Sequence, residues 1–175
     1  MDNFTISKCF IDGVYIIEPK RYFDDRGYFT ELYEKKVFDK LGIKEFVQDN
    51  ESKSIKGVLR GIHFQKIHPQ AKLVRCSYGE VFDVCVDLRK DSKTYGKYFS
   101  IILSSGKGNM MYIPKGFGHG FLVLSDEAVF NYKCDEYYYP DDEDGIRWDS
   151  LGIDWPHVNE LIISEKDREY KEFKQ

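Results

Sequence analysis

The chain has 175 residues and a formal net charge of −4, enough length for one domain with its own core and no need of covalent staples. The mild acidity excludes a nucleic-acid footprint, because neutralising phosphates takes a dense basic face. Aromatic residues make up 16% of the chain, with 13 Tyr and 13 Phe, which suits a β-rich fold with ring-lined surfaces.

In chain order, Met1-Asp2-Asn3-Phe4 has neither a basic head nor an apolar stretch, so no signal peptide is expected. No run reaches the roughly 20 apolar residues of a membrane span. Val14-Tyr15-Ile16-Ile17 reads as an early strand closed by Glu18-Pro19, and Asp24-Asp25-Arg26-Gly27 as a turn. Glu34 to Leu41 carries Val37, Phe38 and Leu41 at helical spacing, with Gly42 as its C-terminal cap. From Glu80 to Leu88 the even positions Phe82, Val84, Val86 and Leu88 are apolar, while the odd positions include Asp83 and Asp87. That alternation predicts a strand with one buried face. Phe99, Ile101 and Leu103 repeat it, as do Ala128, Phe130, Tyr132 and Cys134. Many short strands between Gly-, Ser- and Asp-containing turns predict an all-β antiparallel sandwich or barrel. Ser164-Glu165-Lys166-Asp167 caps a short helix running toward Phe173. No repeat or linker divides residues 1–175, which read as one domain. Cys9, Cys76, Cys85 and Cys134 form no C-x-x-C pair, which excludes a zinc knuckle or a thioredoxin-like motif. Cys85 and Cys134 lie in apolar runs and read as buried free thiols. A soluble protein of the reducing cytoplasm is the expectation.

The segment Gly57 to Gln65, followed by Lys72-Leu73-Val74-Arg75, sets a histidine, two arginines and a lysine in a run that otherwise reads as strand. Of the four histidines, His68 and His157 each adjoin a proline and read as loop residues. His63 lies within a strand signal near Arg60 and Lys72, which makes it a candidate general base; its plainer reading is a hydrogen-bonded residue of the sandwich wall. Arg60 suits a phosphate clamp, through its planar fork, and Lys72 a developing oxyanion; both also fit an exposed face paired with acidic residues. Strict alternation puts Arg60 and His63 on opposite faces, so a shared pocket requires a bulge or a strand end between them. Tyr132 shares parity with Phe130 and Cys134 and points inward, as a core tyrosine or a general acid. Tyr137-Tyr138-Tyr139 is either a stacking platform or an edge strand. Asp167 is either a helix-start residue or the acceptor that fixes a histidine tautomer. No metal is expected, because His63 is followed at i+2 by Gln65 and His119 has no adjacent histidine, so three good ligands are not visible.

These residues resemble the dTDP-4-dehydrorhamnose 3,5-epimerase family of the cupin superfamily. The likeness runs through Asp25-Arg26-Gly27-Tyr28-Phe29, Val47-Gln48-Asp49-Asn50, Val58 to Gln65, Lys72-Leu73-Val74-Arg75, Gly79 to Val84, Ile113 to Phe121, Tyr132-Lys133, Gly145-Ile146-Arg147-Trp148, Leu151 to Pro156 and Ser164 to Asp167. It implies a jelly-roll core, a homodimer and a nucleotide-sugar substrate. It assigns His63 as the base, oriented by Asp167, and Tyr132 as the acid on the other side of the sugar. Lys72 would steady the enolate oxygen, with His119 nearby. Arg26, Glu31, Gln48, Asp49, Asn50, Arg60, Glu143 and Lys166 match positions that hold the nucleotide sugar, and Tyr138 matches the ring that stacks on thymine. Ala71 departs from the glycine usual before the lysine, and the loop Lys66 to Gln70 is slightly short; both bear on substrate details.

The implied reaction inverts C3 and C5 of a dTDP-4-keto-6-deoxy sugar. Both hydrogens flank the ketone, so a base on one face and an acid on the other suffice, with no cofactor. A 3-epimerase or a 3,4-ketoisomerase on the same scaffold is the alternative. A non-catalytic sugar-binding jelly roll is disfavoured by the joint presence of His63, Lys72, Tyr132 and Asp167, and a metal-dependent oxygenase by the missing ligand pair.

Overall fold

The computed structural model describes residues 3–174. Met1 and Asp2, on which the expected absence of a leader partly rests, lie outside the described residues. The strands are β1 (Phe4–Lys8), β2 (Tyr15–Pro19), β3 (Arg21–Asp24), β4 (Gly27–Thr30), β5 (Gln48–Ile55), β6 (Val58–Gln65), β7 (Lys72–Tyr78), β8 (Glu80–Asp87), β9 (Tyr98–Ser104), β10 (Met110–Ile113), β11 (Phe117–Val123), β12 (Glu127–Cys134), β13 (Glu143–Gly145) and β14 (Ile162–Ile163). Two short helices join them, α1 (Lys35–Asp39) and α2 (Glu165–Glu169).

The strands form two facing sheets. One has the order β1-β2-β10-β7-β12-β5, the other β13-β6-β11-β8-β9. Their ladders are antiparallel, and only the two-residue β14 joins β6 in parallel. The expected antiparallel β-sandwich is therefore present. Its core is filled from both sides: Val74, Cys76, Met111, Ala128 and Phe130 from the first sheet meet Val81, Cys85, Leu103, Phe121 and Val123 from the second. A third unit, the β3–β4 hairpin, pairs with neither sheet. The predicted turn at Asp24 to Gly27 is its tip. No helix among the described residues is long and apolar enough to cross a membrane.

Several local expectations change in detail. Strand β8 alternates as predicted, but both of its faces are covered. Its odd positions Val81, Asp83 and Cys85 face the space between the sheets, and Asp83 and Asp87 are fully buried. Its even positions pack under Ile146, Leu151, Ile153, Trp155 and Phe173, a C-terminal wrapping that a one-strand pattern does not reveal. Helix α1 buries Val37 and Phe38 against the outer face of the first sheet. It ends where Gly42, at φ 75°, donates its N–H to the Asp39 carbonyl at 3.0 Å. Helix α2 stops at Glu169, well short of Phe173, because Lys171 turns extended to bridge Ile146 and Phe173 joins the outer apolar layer.

The fold resolves the parity conflict on β6. On β11, His119 pairs with His63 and Phe121 with Arg60, so β6 spends one more residue than β11 over this interval. The bulge returns Arg60 and His63 to the same side. Gly61 sits in it at φ 115°, and a Cβ there would lie 2.6 Å from both the Gly120 Cα and the His119 carbonyl oxygen. Only glycine fits so close an approach.

Candidate active site

A cavity of about 340 Å³ opens between the sheets at one end of the sandwich. Gln48, Asn50 and Ser52 line it from β5, Arg60, His63 and Gln65 from β6, and Lys72 from β7. His119 and Phe121 come from β11, Phe130 and Tyr132 from β12, Tyr138 from the loop beyond and Glu143 from the start of β13. His63 thus comes from one sheet and Tyr132 from the facing one.

Behind His63 lies Asp167, only 4% exposed. Its Oδ1 is 2.7 Å from His63 Nε2, and its Oδ2 accepts the Gly61 N–H at 3.1 Å. One carboxylate therefore secures both the histidine and the bulge that aims it. Ser164 Oγ caps α2 by accepting the Asp167 N–H at 3.1 Å, which fixes where the carboxylate points. Burial by itself raises the Asp167 pKa, but the hydrogen bonds from His63 and Gly61 win and hold it below the usual carboxylate value. An ionised Asp167 can only accept, so Nε2 carries the ring proton and Nδ1 is left as the basic nitrogen.

Across the cavity, burial raises the Tyr132 pKa, with Cys134 and Glu143 adding to the shift, so the phenol keeps its proton at neutral pH. Lys72 Nζ lies 5.5 Å from the Tyr132 ring centroid. Desolvation lowers the Lys72 pKa, and the field of Cys134, Glu143 and Asp83 opposes that shift. His119 Nε2 lies 3.0 and 3.2 Å from the two oxygens of Asp83, forming a second carboxylate–histidine pair deeper in the cavity. Burial raises the Asp83 pKa, and His119 and Lys72 pull it back.

Around the mouth, Arg60 donates Nε and Nη2 to Ser54 Oγ, each at 3.1 Å. Gln48 Nε2 donates to Asn50 Oδ1 at 2.9 Å. Tyr138 Oη donates to Glu143 Oε2 at 2.8 Å, and Lys166 Nζ pairs with the same carboxylate. These bonds outweigh burial and keep Glu143 below its usual pKa. The Tyr137 to Tyr139 run is irregular, so the edge-strand alternative for it is not what forms.

Three expected residues lie apart from this cavity. Asp49 turns to the outer face and pairs with Lys133 at 2.6 Å. Arg26 sits on the hairpin tip, highly exposed, and pairs with Asp24. Glu31 follows the same hairpin, with a buried Oε1 that has no hydrogen-bond partner. Of the loop histidines, His157 is exposed, while His68 stacks on Tyr139 at 4.2 Å and approaches Asp142. Ala71 is buried, with its N–H held by Asp135 Oδ1 at 2.7 Å.

Sequence reasoning missed Asp83, Gln65 and Ser54 as parts of the site. The signal for Asp83 was present: an acidic residue in step with Val81 and Cys85 on an otherwise apolar strand. Among the described residues, no group of three His, Cys, Asp or Glu side chains is placed to hold a metal ion.

A family model described as dTDP-4-dehydrorhamnose 3,5-epimerase matches residues 8–175. A protein of that name from Methanothermobacter thermautotrophicus is 52% identical over 180 residues, spanning 100% of this chain and 97% of the relative. The fold superimposes with TM-score 0.95 on the dTDP-6-deoxy-D-glucose-3,5-epimerase of Legionella pneumophila in complex with dTDP-4-keto-L-rhamnose. That structure is 47% identical and is covered over 92% of its length by 97% of this chain. A 3'-monoepimerase from Streptomyces bikiniensis, in complex with dTDP-quinovose, is 32% identical at TM-score 0.87, over 94% of this chain and 85% of that one. Sequence and fold agree from end to end, and this chain belongs to the dTDP-4-dehydrorhamnose 3,5-epimerase family.

Proposed function

We propose that this protein, as one domain spanning residues 1–175, inverts C3 and C5 of dTDP-4-keto-6-deoxyglucose to give dTDP-4-keto-rhamnose. The observation that carries the reading is the placement of a carboxylate-oriented histidine and a protonated tyrosine on facing walls of one cavity, which a lysine beside the tyrosine also lines. His63 removes the proton from a carbon next to the C4 ketone. The electron pair moves onto the C4 oxygen, and the Lys72 ammonium stabilises the enolate. Tyr132 returns a proton to the same carbon from the opposite face. His63 has then gained a proton and Tyr132 has lost one, and exchange with solvent restores both before the second centre reacts. No electron leaves the sugar, so the chemistry calls for no redox cofactor.

His119, held at Nε2 by Asp83, lines the same cavity. Arg60, Gln48, Asn50, Glu143 and Lys166 hold the nucleotide end, and Tyr138 provides the ring on which the thymine stacks. Arg26, Glu31 and Asp49 cannot meet a sugar in their own cavity from where they lie. A homodimer gives the hairpin residues a role: the β3–β4 hairpin exposes Tyr22, Phe23, Tyr28 and Phe29, an apolar surface of the kind that marks an interface. A two-stranded ribbon of this kind has little stability alone. Packed on a second copy, it would bring Arg26 and Glu31 to that copy's cavity. All four cysteines are free, as suits a reducing compartment such as the cytoplasm.

The resemblance to a 3'-monoepimerase keeps one second reading, inversion at C3 alone. NMR of dTDP-4-keto-6-deoxyglucose incubated with the protein in D₂O separates the two. Deuterium at C3 and C5 with rhamnose-configured product is expected. Deuterium at C3 only establishes the monoepimerase, and deuterium at neither overturns both.

A further inference from the structure

The Tyr137 to Tyr139 run has no regular structure, yet side chains from both sheets fix its path. Gln65, at the end of β6 and 6% exposed, donates Nε2 to the carbonyls of His68 at 2.7 Å and Tyr137 at 3.1 Å. Its Oε1 accepts the Tyr139 N–H at 2.8 Å. Between these anchors, the Tyr138 N–H donates to Gln48 Oε1 at 3.0 Å. Two glutamines, one from each sheet, thus hold the backbone on both sides of Tyr138. A second tie lies beneath them, where the Asp142 carboxylate accepts the N–H groups of Lys66, Ile67 and His68 at 3.1, 2.8 and 2.7 Å.

We propose that Gln65 is a positioning residue for the nucleotide end of the substrate. It sets the Tyr138 ring over the cavity and couples that ring to the strand carrying His63, two residues away. The inference rests on the reading of Tyr138 as the stacking ring. Its chemistry requires an amide, because one planar group must face two carbonyl acceptors and one N–H donor at once. A glutamate of the same shape brings an oxygen against each carbonyl and has no proton to give until it is protonated. A methionine of similar length supplies neither donor nor acceptor. A role confined to loop stability would lower the melting temperature and leave the coupling to Tyr138 at zero.

The test is a double-mutant cycle of Gln65→Glu and Tyr138→Ala, read by calorimetric binding of dTDP, with kcat and KM alongside and Gln65→Met as a second variant. At about pH 7.5, Gln65→Glu and Gln65→Met should each weaken dTDP binding about 10- to 100-fold, with KM rising far more than kcat falls. In the Tyr138→Ala background, Gln65→Glu should cost about twofold or less, because its effect runs through that ring. At about pH 5.5 the protonated glutamate should recover part of the lost affinity while Gln65→Met does not. Should Gln65→Met fail to fold, the near-isosteric Gln65→Glu decides the matter through the cycle. Additive effects of Gln65→Glu and Tyr138→Ala, or dTDP binding within twofold of wild type in Gln65→Glu, overturn the proposal. Unchanged dTDP binding in Tyr138→Ala overturns instead the reading of Tyr138 on which it rests.

Discussion

Replacing Asp167 by asparagine keeps shape and volume but leaves one acceptor oxygen where the carboxylate has two. Two donors depend on that group, the His63 Nε2–H and the Gly61 N–H. Asparagine must therefore turn its amide nitrogen toward one of them. Turned toward Gly61, it sets two donors against each other at a site that is 4% exposed, where no water replaces the lost partner. Turned toward His63, it demands an acceptor at Nε2, drives the ring proton to Nδ1 and removes the basic nitrogen from the sugar. Loss of a positioned base costs about 10²–10⁴-fold in turnover, or about 2.7–5.4 kcal/mol at 1.36 kcal/mol per decade. The fold should lose about 1–3 kcal/mol, the cost of one unsatisfied buried partner. Stability gives a second signature. The folded-state pKa of Asp167 is depressed, so its contribution is present above the unfolded value of about 3.9 and disappears as pH falls through the lower folded value. Wild type and Asp167→Asn should therefore differ at neutral pH and converge in strong acid. The assays are NMR exchange of the C3 and C5 hydrogens and urea unfolding across pH. Exchange within about threefold of wild type would show that His63 needs no acidic partner, and the dyad would be structural only.

Four further outcomes follow from the geometry. His63→Ala should abolish solvent exchange at C3 and C5. Tyr132→Phe, which keeps the ring, should still exchange while inverted product falls about 10²–10⁴-fold; normal product from it would make the tyrosine a wall of the cavity. Asp87 is fully buried and bonded by Arg89, Ser92 and Thr94, which overcome burial and depress its pKa. Asp87→Ala should cost about 3–5 kcal/mol by urea unfolding at neutral pH, because it strands a partly buried guanidinium, and a cost under about 1 kcal/mol would refute that role. Turnover should survive prolonged treatment with a strong chelator, since the Gln65 amide that stands two residues after His63 is fully engaged by backbone groups. Loss on chelation with recovery on adding a divalent ion would overturn the metal-free mechanism.

The alternating strands were legible because their period survives in the sequence wherever one side of a strand meets the core. The motif residues His63, Lys72, Tyr132, His119 and Tyr138 were legible as types, and the sandwich brings them to one cavity. Local patterns fail where an element's surroundings come from far along the chain. Strand β8 looked one-sided because its cover arrives from residues 146–173. The bulge that lets Arg60 and His63 share a pocket depends on the β11 register and on the close approach of Gly61 to Gly120, which the glycine alone does not announce. Arg26 and Glu31 lie on and just after the β3–β4 hairpin, apart from the cavity, and no spacing rule reports that. Gln65 was visible only as a histidine that was missing; its three hydrogen bonds join segments that the sequence shows as unrelated loops.

Asp83 shows how the cavity balances its charge before the substrate arrives. Lys72 is a half-buried cation and Asp83 a fully buried carboxylate, and each opposes the desolvation shift of the other. Without an acidic neighbour, a desolvated lysine drifts toward its neutral form, which cannot stabilise an enolate. Asp83→Asn isolates this effect, because the asparagine oxygen can still accept the His119 Nε2–H and hold its tautomer. The variant should keep its fold and its dTDP affinity. Turnover at neutral pH should fall about tenfold, less than the 10²–10³-fold expected for removing an oxyanion donor outright. The sign of the pH effect follows from the charge. Removing a negative neighbour lowers the Lys72 pKa further, so the ammonium is lost at lower pH and the alkaline limb of the kcat profile moves to lower pH. The Tyr132 pKa is raised and that of Lys72 lowered, and both shifts favour the lysine losing its proton first. Lys72→Met, which has no ammonium to titrate, should lose the lysine's part of that limb and leave only the deprotonation of Tyr132 at higher pH. An alkaline limb that stays at its wild-type position in Asp83→Asn would mean that Lys72 does not feel this carboxylate, and Asp83 would be left with the orientation of His119 alone.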